Sequence, residues 1–174
     1  TPGTPTTTTP TNSTNQNWSW TAAADTISDI QNYLYRITGS VTQALTSTGS
    51  NVTSFTTTLR EGIYNFFVTA KDNAGNTGPE SSGGSLTIDI TAPATPSATP
   101  AAGDYTSDQS VSLFSSDAGS GLASIYYTTD GSTPDNTKTL YSGAITVDKD
   151  MTIKAVAYDK AGNASDILEA VYGI

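Results

Sequence analysis

One seven-residue element occurs twice in this chain. Ala70-Lys71-Asp72-Asn73-Ala74-Gly75-Asn76 matches Ala157-Tyr158-Asp159-Lys160-Ala161-Gly162-Asn163, 87 positions later. Each copy follows an alternating apolar run, Tyr64/Phe66/Val68 in the first and Met151/Ile153/Ala155 in the second. A second echo lies upstream: Asp25-x-x-Ser28-x-Ile30-x-x-Tyr33-x-Tyr35 matches Asp117-x-x-Ser120-x-Leu122-x-x-Ile125-x-Tyr127, 92 positions later. Two echoes in the same order predict two related modules in tandem. We place them at residues 2–92 and 93–174. Each is near the lower size limit for a self-sufficient core.

The side chains available exclude most chemistry. The 174 residues include no cysteine and no histidine. Disulfides, thiolate zinc sites and thiol nucleophiles are therefore ruled out, as are the commonest general base and the commonest transition-metal ligand. Seven bases face 16 acids, a formal net charge of -9, and ten of those acids lie in residues 93–174. Such a chain repels phosphate backbones and anionic lipid surfaces, so neither nucleic acid nor membrane is an expected partner. No apolar run reaches the roughly 18 residues of a membrane-spanning helix. Charged residues make up only 13%, about half the usual share. Abundant Thr and Ser suit exposed sheet surfaces, because Thr is β-branched and its hydroxyl stays hydrated.

The periodicity is two almost throughout, so an all-β fold with almost no helix is expected. Pro2, Pro5 and Pro10 keep the opening segment extended. Strands are read at 17–21, where Trp18 and Trp20 share a face, and at Tyr33/Tyr35/Ile37. Others are read at 41–45, 54–59, 64–71 and 85–90, the last with Leu86, Ile88 and Ile90 on one face. Residues 91–100 form a proline-stiffened bridge whose end doubles as an edge strand. Further strands are read at 110–115, 124–129, 139–141, 144–147, 152–158 and 168–172. Short, evenly spaced strands with turn signals between them predict β-sandwiches. In the repeated Asp-x-Ala-Gly-Asn element, Gly takes the positive φ of a tight turn, Asn tolerates it, and Asp accepts bonds from turn amides.

These residues also carry resemblances. Trp18-Ser19-Trp20-Thr21, Tyr33-Leu34-Tyr35, Leu59-Arg60-Glu61-Gly62-Ile63-Tyr64 and the Ala70–Asn76 run make residues 2–92 resemble bacterial immunoglobulin-like or fibronectin type III-like repeats. Residues 93–174 look like the β-sandwich module at the C-terminus of chitobiases and β-hexosaminidases. The carriers are the run from Ile125 to Pro134, Leu140-Tyr141-Ser142-Gly143, and the run from Ile153 to Asp159. The resemblance implies two tandem Ig-like sandwiches in a secreted or cell-surface bacterial protein, acting as spacers or presenters and doing no chemistry. It also implies a corner role for Tyr64, its hydroxyl bonding back near Leu59. The enzyme name belongs to the parent proteins and labels an accessory module here. The chain opens in a linker-like run, as a monomeric piece of a longer polypeptide would.

Three candidate sites follow. Asp25/Asp29 and Asp72/Asn76 are expected at one end of the first sandwich, Asp117 and Asp159/Asn163 at the corresponding end of the second. If the modules stack end to end, Asp117 and Asp159 come close to Asp89, and their oxygens could hold Ca2+, which takes 6–8 hard oxygen ligands. Independent turn capping is the competing reading. Glycosidase chemistry needs two carboxyls about 5–10 Å apart across a cleft, and Asp148/Asp150, Glu61, Glu80 and Glu169 are not so arranged in sequence. Tyr126, Tyr158 and Phe67 alternate away from the core, and Tyr126 with Tyr158 form a candidate stacking platform for a polysaccharide. Open sheet edges also admit pairing with another chain.

Overall fold

The computed structural model describes residues 1–7 and 9–174. The chain divides into two compact units, Thr1–Ile90 and Thr91–Ile174. Among the described residues there is no helix.

The first unit has six strands: β1 (Asn15–Ser19), β2 (Ile30–Gly39), β3 (Gln43–Ser47), β4 (Ser54–Thr58), β5 (Gly62–Asp72) and β6 (Gly84–Ile88). They form a two-stranded sheet, β1-β4, and a four-stranded sheet, β3-β2-β5-β6. Alternation decides which side chains enter the space between them. From β2 come Tyr33, Tyr35 and Ile37, from β5 Tyr64, Phe66 and Val68, from β6 Leu86 and Ile88, and from β1 Trp18, all buried. Phe66 is the hub of this core. Its ring stacks on Trp18 at 4.7 Å and Tyr35 at 5.5 Å, and Trp20 and Phe55 flank it at 6.2 Å.

The second unit has eight: β7 (Ser97–Thr99), β8 (Gly103–Asp104), β9 (Gln109–Phe114), β10 (Leu122–Thr128), β11 (Thr139–Leu140), β12 (Ile145–Val147), β13 (Met151–Asp159) and β14 (Leu168–Gly173). Their sheets are β12-β9-β7 and β11-β10-β13-β14-β8. The core here is mainly aliphatic: Val111, Leu113, Ile125, Ile145, Val147, Ile153 and three alanines cluster with Tyr172. The central pairs correspond, with Tyr35 opposite Val68 in β2/β5 and Tyr127 opposite Ala155 in β10/β13. Ile153 thus occupies the place that Phe66 holds in the first unit.

Both units begin with a strap that crosses between sheets. In the first, Gly3 N donates to Thr21 O, Thr6 pairs antiparallel with Ser19, and Thr11 then pairs parallel with Ile88. In the second, Ala94 N donates to Ser116 O, β7 pairs antiparallel with β9, and β8 then pairs parallel with β14. The two straps carry a third echo, Pro2-Gly3-Thr4-Pro5 and Pro93-Ala94-Thr95-Pro96, with all four prolines buried. The bridge between modules is therefore folded into the second unit from Pro93 onward.

The structure revises some strand limits. The first strand starts at Asn15 and ends at Ser19, yet Trp20 stays buried: its main-chain N–H donates to Thr53 O and its ring packs against Tyr33 and Phe66. β6 stops at Ile88, and Ile90 is 51% exposed whereas Asp89 is buried. The alternation breaks there because the strap takes over the pairing: Asp89 N donates to Thr11 O. β8 has no counterpart in the sequence reading, since Gly103-Asp104 carries no apolar alternation.

Removing the hub ring should unfold the first unit selectively. Both tryptophans lie there, so indole emission reports that unit. Phe66→Ala is expected to lower its stability by about 3–5 kcal/mol, the usual cost of truncating a buried Phe. A denaturant titration showing less than 1 kcal/mol would place the core elsewhere.

Candidate functional site

The repeated elements build one end of each sandwich. After β5 the chain reverses through Asp72–Asn76. Asp72 Oδ1 accepts the Asn76 N–H and Oδ2 accepts the Asn76 amide, both at 2.8 Å, and Gly75 sits at φ 95°. After β13 the same atoms repeat the pattern. Asp159 accepts from Asn163 N at 2.8 Å and from its amide at 2.6 Å, and Gly162 has φ 95°. The expected roles of Gly and Asp are present at these residues, whereas Asn76 and Asn163 do not take positive φ and instead donate to the aspartate.

The upstream echo proves to be the partner of the downstream one. In the first unit Asn73 N donates to Asp29 O at 3.1 Å, and its amide donates to Ser28 O at 2.7 Å. In the second, Lys160 N donates to Gly121 O at 3.0 Å, and Ala161 N donates to Ser120 Oγ at 3.1 Å. Asp29 and Gly121 are equivalent positions, and both have positive φ, 60° and 86°. Next to each lies a register shift in the sheet, between Ile30 and Asn32 against β5 and between Leu122 and Ser124 against β13. Ile30 then faces Asp72, and Leu122 faces Asp159. A β-bulge thus re-aims the entering strand and the turn stitches it down.

The upstream aspartates cap their own loops. Asp25 accepts Ile27 N, Ser28 N and the Ser28 hydroxyl, the last at 2.7 Å. The Ser28 hydroxyl holds the Asp25 carboxyl below its ordinary range, and the Asn76 amide does the same for Asp72. Both border a cleft of about 170 Å³ with Ala23, Ile30 and Ala70. Asp117 accepts Gly121 N at 2.7 Å.

The three acids expected to hold calcium fall as follows. Asp117 and Asp159 come together in the second unit, with carboxylate oxygens within 4.8 Å. Asp89 is buried in the first unit just after β6. Within the second unit the pair supplies two carboxylates, each engaged with turn donors, and calcium takes 6–8 oxygens. This engagement favours turn capping as the role of each.

Carboxylates elsewhere are dispersed. Asp150 Oδ1 accepts Ile174 N, Glu80 pairs with Arg36 at 2.7 Å, and Glu169 pairs with Lys154 at 3.2 Å. In the loop after β10, Asp130 accepts Ser132 N, Asp135 accepts Thr137 N, and Thr128 Oγ1 donates to Ser132 O. Thr128, Asp130 and Ser132, with Thr137, Lys138 and Thr139, line an open bowl of about 510 Å³.

Tyr126 and Tyr158 lie on the outer face of the five-stranded sheet, centroids 5.9 Å apart and planes at 82°. Tyr126 stands opposite Leu140 on one side and Val156 on the other. Both rings are half-buried. Their perpendicular planes offer one stacking face with a wall beside it, not a flat double platform. Phe67 is not such a ring. The Arg36 guanidinium lies 4.0 Å over it, and a side chain at Gly83 would come within 2.7 Å of its Cε1, so the 79–83 loop covers it. Tyr64 takes the corner role, its hydroxyl donating to Arg60 O at 3.0 Å, one residue beyond the expected anchor.

Two buried serines escaped the sequence reading. Ser81 Oγ accepts Val68 N at 3.1 Å, and Ser165 Oγ accepts Ala157 N at 2.9 Å. Each ties the chain leaving the Asp turn back to the central strand. They follow their turn asparagines by different intervals, five residues and two, so no shared spacing marks them.

Comparison with known proteins fits this geometry. Residues 100–169 match the family described as the chitobiase/beta-hexosaminidase C-terminal domain. Among solved structures, the fibronectin(III)-like modules of Clostridium thermocellum CbhA are similar at 16% identity and a TM-score of 0.50, over 98% of this chain and 93% of theirs. A two-domain fibronectin type III segment of chicken tenascin aligns at 14% identity and a TM-score of 0.44, over 99% of each chain. Chicken CNTN1 FN1–FN3 aligns at 15% and 0.42, over 98% of this chain and 65% of that one. A search of curated proteins finds no match. The fold is two tandem Ig-like, fibronectin type III-like β-sandwiches.

Two measurements test the stitched ends. Asp72 titrates lower in the folded chain than its ordinary value of 3.8, so its contribution is present above that pH and is lost as pH falls through the folded value. The indole-monitored melting temperature should drop below about pH 4, and Asp72→Asn should flatten that slope. An unchanged slope would remove Asp72 from the account. In the second unit, Gly121→Ala forces a Cβ into positive φ and should cost about 1–2 kcal/mol. A loss within 0.5 kcal/mol in the tyrosine near-UV signal, about the scatter of an ordinary surface change, would show that the loop adapts.

Proposed function

We propose that both units are non-catalytic modules that space or present other parts of a secreted or cell-surface bacterial polypeptide, in an adhesin-like or enzyme-bearing chain. The observation that carries this reading is the use made of the acids. At both stitched ends the carboxylates of Asp72, Asp117 and Asp159 serve turn donors, and Glu80, Glu169 and Asp150 engage Arg36, Lys154 and the Ile174 N–H. With no histidine or cysteine in the sequence, carboxylates are the main source of acid–base chemistry, and these six are engaged in structure. The match of residues 100–169 to an accessory C-terminal domain supports the same reading, although a fold alone names no activity.

A second reading has its own observation. Tyr126 and Tyr158 meet on one sheet face beside Leu140 and Val156, and a pyranose presents an apolar face that stacks on such a ring. On this reading the second unit is a carbohydrate-binding accessory module of an extracellular polysaccharide-active enzyme. The low positive charge makes neutral glycans the suitable class.

Pull-down on insoluble chitin and cellulose separates the two. The spacer reading expects the chain in the unbound fraction and no change with Tyr126→Ala. Retention that Tyr126→Ala abolishes, with the fold intact by circular dichroism, would establish the second reading instead. Melting in excess chelator is expected to match melting in calcium. A drop of several degrees would assign Asp117, Asp159 and Asp89 to a cation and make the chain a calcium-stiffened rod.

A further inference from the structure

The opening strap is held against two strands. Thr6 pairs antiparallel with Ser19 of β1, and Thr11 pairs parallel with Ile88 of β6. By Thr11 the strap has changed sheets, and an open bowl of about 560 Å³ lies beside the β1 edge that it leaves. β1 alternates strictly: Gln16 and Trp18 are buried, whereas Asn15, Asn17 and Ser19 are exposed. Trp18 enters the core. Gln16 points to the same side and is only 4% exposed, although its side chain is polar. Its Oε1 accepts the Thr7 hydroxyl at 3.2 Å, and its amide donates to Ser13 O. Thr7 and Ser13 both line the bowl, so one buried carboxamide braces two of its walls. The rim is fastened too. Ser13 N donates to Thr11 Oγ1 and the Ser13 hydroxyl donates to Asn15 O, both at 3.1 Å. The concavity is thus preformed, which spares a ligand the cost of ordering it.

Charge and polarity narrow what such a bowl can take. The first charged residue of the chain is Asp25, and β4, the partner of β1, carries none. Every residue lining the bowl is neutral, in a chain of net charge -9. A phosphate or sulfate group would meet no cation there, and a metal ion would meet no carboxylate. No aromatic, Leu, Ile or Val side chain lines it, so an apolar ligand gains little on entry. What remains is hydroxyl and carboxamide, groups that each donate and accept. The side chains of Thr6, Asn15 and Ser19 form no hydrogen bond among the described residues, and that of Asn17 accepts only the Thr56 hydroxyl, at 3.5 Å. A sugar ring presents the complementary set, neighbouring hydroxyls that donate and accept in turn. The volume also falls within the usual size of small-molecule sites, about 300–1,000 Å³.

We propose that this bowl in the first unit binds a short, neutral, soluble saccharide, held by hydrogen bonds alone. The inference goes beyond both readings above and rests on neither. It lies in the other unit from Tyr126 and Tyr158, uses no ring, and takes a free oligosaccharide where those rings would take the flat face of a polysaccharide. Bonds to the ligand replace bonds to water, so the affinity is expected in the millimolar range.

Amide NMR of the full chain, titrated with cellotetraose, maltotetraose and mannotetraose, tests this. At least one of the three should give saturable shifts at β1 and the strap, including the side-chain amides of Asn15, Gln16 and Asn17, and leave β10 and β13 unmoved. Anionic trigalacturonate should give none. Asn15 and Asn17 face outward, so Asn15→Ala with Asn17→Ala spares the core and should weaken binding about tenfold. Thr6→Arg crowds the mouth from the exposed strap and should abolish the shifts at Asn17. Absence of any saturable shift at millimolar concentrations of all three saccharides would overturn the proposal. So would unchanged binding by either variant with its fold intact by circular dichroism. Shifts confined to β10 and β13 that Tyr126→Ala removes would also overturn it and place binding in the second unit. Retention on insoluble chitin or cellulose decides between the two earlier readings and leaves the titration at Asn15 and Asn17 unaltered, so the failures are distinguishable.

Discussion

A main-chain hydrogen bond closes one end of each sandwich, and the central strand pair depends on it. It runs from the residue after the turn aspartate to the carbonyl of a positive-φ residue, Asn73 to Asp29 and Lys160 to Gly121. That residue immediately precedes the bulge through which β2 enters beside β5, and β10 beside β13. A strand entering one residue out of step would turn its whole inward set toward solvent. For β2 that set is Tyr33, Tyr35 and Ile37, and for β10 it is Ile125 and Tyr127. The stitch fixes register where the chain commits to a face, and the paired carboxylate satisfies the turn donors that would otherwise be left over.

Once register is set, the two cores reach the same geometry with different materials. The first fills its space with rings, Phe66 between Trp18 and Tyr35, and Trp20 against Tyr33. The second uses Ile153 at the hub and places Ala155, Ala157 and Ala170 along the central strands. Small side chains let the sheets approach, and aliphatics fill what remains. The polar atoms follow one scheme despite this difference. Tyr64 and Tyr172 each send a hydroxyl to a backbone carbonyl, Arg60 and Pro100. Ser81 and Ser165 each return a hydroxyl to the central strand. The backbone scheme is thus more uniform between the units than the side chains that cover it.

This difference explains what could be read from the residues. Inward alternation is a period, so Tyr33/Tyr35/Ile37 and Tyr64/Phe66/Val68 announce strands whatever their neighbours. The Asp-x-Ala-Gly-Asn turn is legible because its function is local: five consecutive residues hold all its donors and acceptors. The stitch is not local. Asn73 and Asp29 are far apart in sequence, and main-chain atoms make the bond, so residue identity leaves only a trace at the positive-φ position. The same holds for β8, whose pairing with β14 uses the backbone of Gly103 and Asp104. Pro93 and Pro96 looked like linker because proline signals stiffness in either setting. Only their burial shows that they belong to the module.

The candidate site was legible in part, for a related reason. Asp117 and Asp159 meet because the turn and the loop that they cap are stitched together, which the two echoes implied. Tyr126 and Tyr158 share a face because strand alternation demands it, yet the angle of 82° between their rings cannot be read from spacing. Phe67 obeys the same alternation and is nonetheless covered, because Arg36 and the loop at Gly83 come from segments remote in sequence. Alternation decides which face a ring occupies. Whether that ring remains available to a ligand is decided by what the rest of the chain lays over it, and in the first unit the Arg36–Glu80 pair secures that cover.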